Sequence, residues 1–200
     1  MEGALRWLLP IYLVLYLSSA FVWRSYLVWR RTGVNPYALR RTDSTHDYVG
    51  MLFRFSIGAD VVIVLIYALS SELYTYLTPI LWLQSPAIVW TGIILMAISL
   101  VVVIMAQAQM GNSWRIGIDT SNKTELVQQG IFNRTRNPIF LGMRLTQLGL
   151  FLVLPSAATF ATLILGDALI QIQVRLEEEY LAAAHGADYQ NYRLRVRRWI

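Results

Sequence analysis

Three long apolar stretches, Leu5 to Trp29, Tyr48 to Leu69 and Pro86 to Met110, constrain this chain more than any other feature. About 20 apolar residues in a helix cover the hydrocarbon core of a bilayer, and a backbone with no water around it must satisfy its own hydrogen bonds, as a helix does. Each stretch therefore predicts a membrane span. A fourth apolar region, Pro138 to Arg175, is interrupted at Pro155-Ser156, which divides it into two short helices joined by a tight hairpin, with the bilayer locally thin there. The fold class read from this pattern is all-α: a polytopic membrane helical bundle of about five spans with a C-terminal helical hairpin. Residues 1–110 form an N-terminal three-span region, and residues 111–200 a C-terminal region with the hairpin and a polar tail. Composition agrees, since 56% of the 200 residues are hydrophobic, above the usual share for a soluble domain. The first stretch also resembles a signal peptide. Its length, and the sequence Trp23, Arg24, Trp29, Arg30 and Arg31 with no small-residue cleavage site, point instead to a retained span.

Basic residues set the expected orientation. Arg30, Arg31, Arg40 and Arg41 lie between the first two stretches, whereas Ser70 to Ser85 contains no Lys or Arg. Because Lys and Arg accumulate on cytoplasmic loops, the N-terminus is expected outside, and the loop 111–137 and the C-terminal tail in the cytosol. Arg115, Lys123, Arg134, Arg136, Arg193, Arg195, Arg197 and Arg198 follow the same rule. The localisation expected is a prokaryotic inner (cell) membrane, with the lipid bilayer as first partner. The net charge of +5 is accounted for by these loops, so no nucleic-acid partner is expected. With no cysteine, and His46 and His185 far apart, no metal site is expected either.

Four charges fall inside predicted spans: Arg54, Asp60, Arg144 and Asp167. Unpaired, each is costly in hydrocarbon, so partners are expected. If the hairpin folds back at Pro155-Ser156, Arg144 and Asp167 stand at equal depth, which predicts a buried ion pair. Such a pair can fix helix register or serve function. Arg54 and Asp60, six residues apart, share a helix face poorly, and Asp60 is expected to point into a pocket shared with the hairpin.

The polar segments are Gly111-Asn112-Ser113-Trp114, the stretch to Thr124, then Glu125-Leu126-Val127 through Gly130-Ile131-Phe132, and Arg136-Asn137-Pro138-Ile139-Phe140. Pro138 suits the first turn of a helix, where its missing N–H costs nothing, and the N–H groups behind it form an end suited to an anion. Arg136 fits either that anion or a lipid phosphate. Beyond the hairpin, Glu177-Glu178-Glu179 continues helically toward a cap at Gly186. Successive residues turn by about 100°, so one carboxylate is expected to face a cationic ligand and two to be bystanders. An anion-binding helix end opposed to a carboxylate matches a zwitterion. The amino-acid part of S-adenosylmethionine is one, and no dinucleotide fingerprint or P-loop competes for the assignment.

The order Gly111-x-x-Trp114, Leu126-Val127-x-x-Gly130-Ile131-Phe132, Arg136-x-Pro138-x-Phe140 and Glu177-Glu178-x-x-Leu181, then Gly186-x-x-Tyr189-x-x-Tyr192, resembles the membrane isoprenylcysteine carboxyl methyltransferases and the related phospholipid methyltransferases. The resemblance spans about Gly111 to Arg198. It implies S-adenosyl-L-methionine as cofactor in a cytosolic pocket lined by Thr124, Glu125, Leu126, Val127, Phe132, Asn137, Pro138, Ile139, Phe140 and Glu177. Arg136 and Glu177 would be the catalytic pair, and a lipophilic substrate would enter sideways from the bilayer. The chain departs from the pattern at Asn137 and Phe140, where the family has His and Tyr. It departs again at Gln173, where members acting on a prenylcysteine carboxylate have Arg. Gln173, Arg175 and Arg144 are the substrate-side candidates, with Arg175 two positions further round the helix. Two other classes remain open at this point: an NADPH-dependent membrane reductase of the sterol reductase type, and a non-enzymatic small-molecule carrier with a polar path through the spans.

Overall fold

A computed structural model describes residues 2–39, 43–119 and 124–200; Arg40, Arg41 and Lys123, which contribute to the charge argument, lie outside the described residues. Helix α1 (Glu2–Leu17) passes through a π-helical turn, Ser18–Trp23, into α2 (Arg24–Thr32). There follow α3 (Thr45–Leu69), a short α4 (Ser71–Thr75), α5 (Pro86–Met110), α6 (Pro138–Val153), α7 (Ala157–His185) and α8 (Ala187–Arg195). No strand occurs among the described residues, only single-residue bridges between Tyr37 and Ile116 and between Pro79 and Ser156.

The α1–α2 rod, α3, α5 and α7 are long and apolar enough to cross a membrane, and α6 is shorter. Only one arm of the hairpin is therefore short. Sixteen residues in α6 rise about 24 Å, less than the roughly 30 Å of hydrocarbon. Helix α7 has 29 residues, because the helix continues past the apolar region through Glu177–Glu179 to the Gly186 cap. The apolar surface is outward. Trp7, Leu69 and Trp82 are 75%, 80% and 81% exposed, an arrangement that suits lipid and not water. The all-α polytopic bundle is thus the fold, in an integral membrane protein.

Local signals place the helix ends. Ser44, Ser85 and Ser156 each accept a backbone N–H of the first turn that follows, and Thr159 completes a capping box with Ser156. This box is why the chain reverses at Pro155-Ser156. Between α5 and α6 the backbones touch: a Cβ on Gly92 would stand 2.7 Å from the Gly149 carbonyl, and one on Gly142 would stand 2.5 Å from a Val103 methyl. Small residues permit this approach, and interhelical hydrogen bonds accompany it. Ser99 donates to the Gly142 carbonyl at 2.6 Å and shares a hydrogen bond with Thr146, while the Tyr12 hydroxyl donates to the Met96 carbonyl at 3.0 Å.

The intramembrane charges find partners. Arg144 Nε donates to Asp167 Oδ1 at 2.6 Å, the expected pair. The pair is not buried, however, with the two side chains 34% and 39% exposed. The reason is register: Gly142 turns toward α5, and Arg144, two residues on, points about 200° away. Asp60 accepts from Gln147 on α6 at 2.7 Å, and so does meet the hairpin. Arg54 donates to the Tyr37 hydroxyl.

Gly92→Ala places a methyl against backbone that cannot move aside, so it should lower stability by about 1–3 kcal/mol. Gly58→Ala, with nothing within 4 Å of its new carbon, should leave the thermal melting point in detergent unchanged or slightly raised.

Candidate active site

The loops at one end of the bundle are tied to each other and to the C-terminal tail. The N–H of Ala38 donates to the Ile116 carbonyl and that of Ile116 to the Pro36 carbonyl, at 2.9 and 2.8 Å. The N–H of Ile118 donates to His46 Nε2 at 2.9 Å. Gly130, with φ +61°, takes a left-handed conformation open to glycine, and the next N–H, of Ile131, reaches Gln109 Oε1 on the last turn of α5.

The centre of this layer is Glu178. Its carboxylate is buried and accepts from Arg136 Nε and Nη2, Asn137 Nδ2, and Arg198 Nε and Nη2 at 2.8–3.2 Å. The remaining Arg136 nitrogen, Nη1, donates to the carbonyls of Val196 at 2.6 Å and Arg193 at 3.2 Å, and the Arg136 N–H donates to the Arg197 carbonyl. Thr135 Oγ1 donates to the Arg198 carbonyl. One carboxylate on α7 thus holds the strand of chain entering α6 and the tail leaving α8. Hydrogen bonding to Glu178 in turn raises the Arg198 guanidinium above its ordinary pKa. Tyr192 donates to the Phe132 carbonyl at 2.7 Å. Burial, with Tyr189 beside it, pushes this phenol up to about 12, so it stays a neutral donor.

Under these loops lies a cavity of about 650 Å³ that extends down among the π-helical turn, α3, α5, α6 and α7. Thr124, Glu125, Leu126, Val127, Phe132, Arg136, Asn137, Pro138, Ile139, Phe140, Gln173 and Glu177 all line it. The three glutamates separate as the helical turn requires: Glu177 faces the cavity, Glu178 anchors the tail and Glu179 is exposed. Arg136 borders the cavity, but each of its nitrogens already has an acceptor. The groups open to an anion are the N–H groups of Ile139 and Phe140, which precede the first intrahelical bond, from Leu141 to Asn137. No side chain among the described residues caps that end.

On α7, the Gln173 amide nitrogen donates to Glu177 Oε1 at 2.9 Å and lies 3.3 Å from His46 Nδ1, while its oxygen is buried with no hydrogen bond among the described residues. Arg175 and Arg144 do not line this cavity. Arg175, about 200° round α7 from Gln173, is exposed and donates to the Gln171 carbonyl one turn back.

Several lining residues were outside the expected set: Trp114, Tyr189, Tyr16 and Gln107. Trp114 and Tyr189 stand in the motif string and could have been drawn in from it. Tyr16 carries no signal, being one of many aromatics in the first span. The hydroxyls of Tyr16 and Tyr189 are buried and make no hydrogen bond among the described residues.

Residues 87–188 match the family model described as phospholipid methyltransferase, just over half of the chain. The chain belongs to the phospholipid methyltransferase family. It is therefore a membrane methyltransferase acting on lipid-type substrates. Among curated proteins none matches. In this methyltransferase the match begins at α5 and ends in α8, so it takes in the hairpin and Glu178 while the tail that Glu178 binds lies beyond it.

Removing Glu178 leaves Arg136 buried with its principal partner gone, which costs about 3–5 kcal/mol in comparable sites. Glu178→Ala should therefore lower the melting point sharply and expose the chain after Tyr192 to protease, whereas Glu179→Ala should do neither.

Proposed function

We propose that this protein is an S-adenosylmethionine-dependent methyltransferase whose lipophilic acceptor enters its cavity from the bilayer. The observation that carries the reading is the pairing of two opposite binding elements across one cavity: the uncapped N–H end of α6 at Ile139 and Phe140, and the Glu177 carboxylate on α7. Together they fit a carboxylate and an ammonium on one small molecule. A volume of about 650 Å³ lies within the range that holds drug-sized ligands, and the Gln173 oxygen, which makes no hydrogen bond among the described residues, is a further polar contact such a ligand can meet.

When bound, the cofactor supplies an electrophilic methyl group on a sulfonium, which needs alignment and exclusion of water more than acid or base. The chain's residues provide both. Glu177, held by Gln173, would orient the ammonium; the α6 end would hold the carboxylate; Phe132 and Phe140 would flank the adenosine. Arg136 acts through Glu178, fixing the α6 entrance in place, and is a positioning residue on this reading. The deeper part of the cavity, among Tyr16, Phe53 and Met143, is apolar and suits a lipid chain. The acceptor's reacting atom would lie near Gln173. An amide accepts and donates but carries no charge, so a prenylcysteine-like carboxylate loses the cationic partner it has where the family has Arg, and a neutral lipid nucleophile is favoured. The loop end is taken as cytosolic, with the N-terminus outside, in a prokaryotic cell membrane.

Calorimetry with S-adenosylhomocysteine tests the assignment. Wild-type protein should bind it, and Glu177→Ala should weaken binding about tenfold or more, the loss expected for one charged hydrogen bond, while Glu179→Ala leaves it unchanged. Unchanged affinity in Glu177→Ala would remove that residue from the site. Stabilisation by NADPH and not by S-adenosylhomocysteine, read as a rise in melting temperature, would replace the reaction class with a reductase.

A further inference from the structure

His46 stands outside the segment that matches the family and does not line the cavity, yet it touches two parts of the protein on which the cavity depends. It is the second residue of α3, a helix whose start is fixed by the Ser44 cap. Its Nε2 accepts the N–H of Ile118, in the loop over the cavity, at 2.9 Å. Its Nδ1 lies 3.3 Å from the amide nitrogen of Gln173 on α7. Gly117 allows the first contact. With φ +88° it takes a conformation open to glycine, and a Cβ there would stand 3.0 Å from the imidazole Nε2 and 2.9 Å from Leu39 Cδ2. The second contact adjoins Glu177, to which the same Gln173 nitrogen donates at 2.9 Å. His46, Gln173 and Glu177 therefore stand in file from the loop to the cavity wall.

The proton on this ring has only one place to be. A backbone N–H can only donate, so Nε2 presents a lone pair to Ile118 and the imidazole proton sits on Nδ1. Nδ1–H then faces the Gln173 amide, whose oxygen is buried with no hydrogen bond among the described residues. An unmet donor beside an unmet acceptor costs free energy twice. A turn of the amide about its terminal bond gives the oxygen to Nδ1–H while the nitrogen stays on Glu177. Donation then runs one way, from the Ile118 N–H to His46, from His46 to Gln173 and from Gln173 to the carboxylate, and such a chain strengthens each of its bonds. We infer that His46 is a positioning residue of the reaction site: through Nδ1–H and Gln173 it sets the Glu177 carboxylate, and through Nε2 it holds the loop that covers it. The inference rests on the assignment of Glu177 to the cofactor's ammonium. A side chain that grips a ligand is held in its productive geometry by a second layer of hydrogen bonds, and His46 supplies that layer from α3.

The two contacts of the ring separate by substitution, because the amide of Asn reaches where Nδ1 stands and the amide of Gln reaches where Nε2 stands. In calorimetry His46→Leu should weaken S-adenosylhomocysteine binding about tenfold, the loss for one hydrogen bond of the chain. His46→Asn should recover most of that loss and His46→Gln little of it. A ring that only pinned the loop would be replaced best by Gln, so recovery by Gln equal to or better than by Asn overturns the proposal. A second measurement needs no cofactor. The chain has two histidines, so protein labelled with nitrogen-15 histidine gives two ring spectra in detergent, assigned with His185→Gln. Unliganded His46 should show a protonated Nδ1 and an unprotonated Nε2, and Glu177→Gln should shift its Nδ1 resonance while Glu179→Gln does not. A proton on Nε2, or a His46 spectrum indifferent to Glu177→Gln, overturns the proposal even where every His46 variant fails to fold. Wild-type protein that gives the expected ring spectra without binding S-adenosylhomocysteine would sink the cofactor assignment and leave the link from His46 to Glu177 standing.

Discussion

Five hydrogen bonds converge on the buried carboxylate of Glu178, and the loop end of the molecule depends on them. A carboxylate withdrawn from water is stable only when paired and hydrogen-bonded, and here Arg136, Asn137 and Arg198 supply the donors. The same donors belong to the segment that starts α6 and to the tail that follows α8. Glu178 therefore joins three pieces of chain far apart in sequence and sets the height of the α6 N-terminus against α7. Glu177, one residue earlier and about 100° round the helix, is held at the cavity wall as a consequence.

Below that layer, the bundle is fixed by close backbone contact. Gly92, Gly142 and Gly149 let α5 and α6 approach so closely that a Cβ on any of them would clash with the facing helix, and Ser99, Thr146 and Tyr12 close the seam with hydrogen bonds. The short α6 is thus pinned along its length to a full span, and its N-terminal end stays at the loop layer. This rigidity matters for a reaction that depends on holding two partners in line, since orientation is its main source of rate. The π-helical turn in the first span, whose Ala20 carbonyl is taken by Gln107 at 2.8 Å, shapes the opposite wall of the cavity.

Much of this was legible in the residues. Apolar length located the spans, because the bilayer imposes it, and Pro155-Ser156 located the hairpin turn, because serine caps and proline stops. From the turn alone, equal depth paired Arg144 with Asp167. The face on which that pair lies was not legible, since it depends on which side of α6 meets α5, and the glycines that decide this carry no outward mark. Among the glutamates, helical geometry said that one of three would face a ligand. It could not say that the neighbour would be the anchor of the whole end, because Arg198 and Arg136 reach Glu178 only after the tail has folded back. Arg136 shows the same limit: its position beside Pro138 suggested an anion site, while in the fold its donors are spent within the protein. Tyr16 entered the cavity through helix packing that no local pattern encodes.

The central claim is that the cavity joining Glu177 to the bilayer-facing helices transfers a methyl group to a lipophilic acceptor. Incubating the protein in lipid vesicles with methyl-tritiated S-adenosylmethionine, then extracting with organic solvent, measures that transfer directly. Label should appear in the organic phase in proportion to time and protein, and should vanish with Glu177→Ala. Label that never leaves the aqueous phase, in vesicles made from the native lipid extract and with cofactor binding intact, would contradict the account.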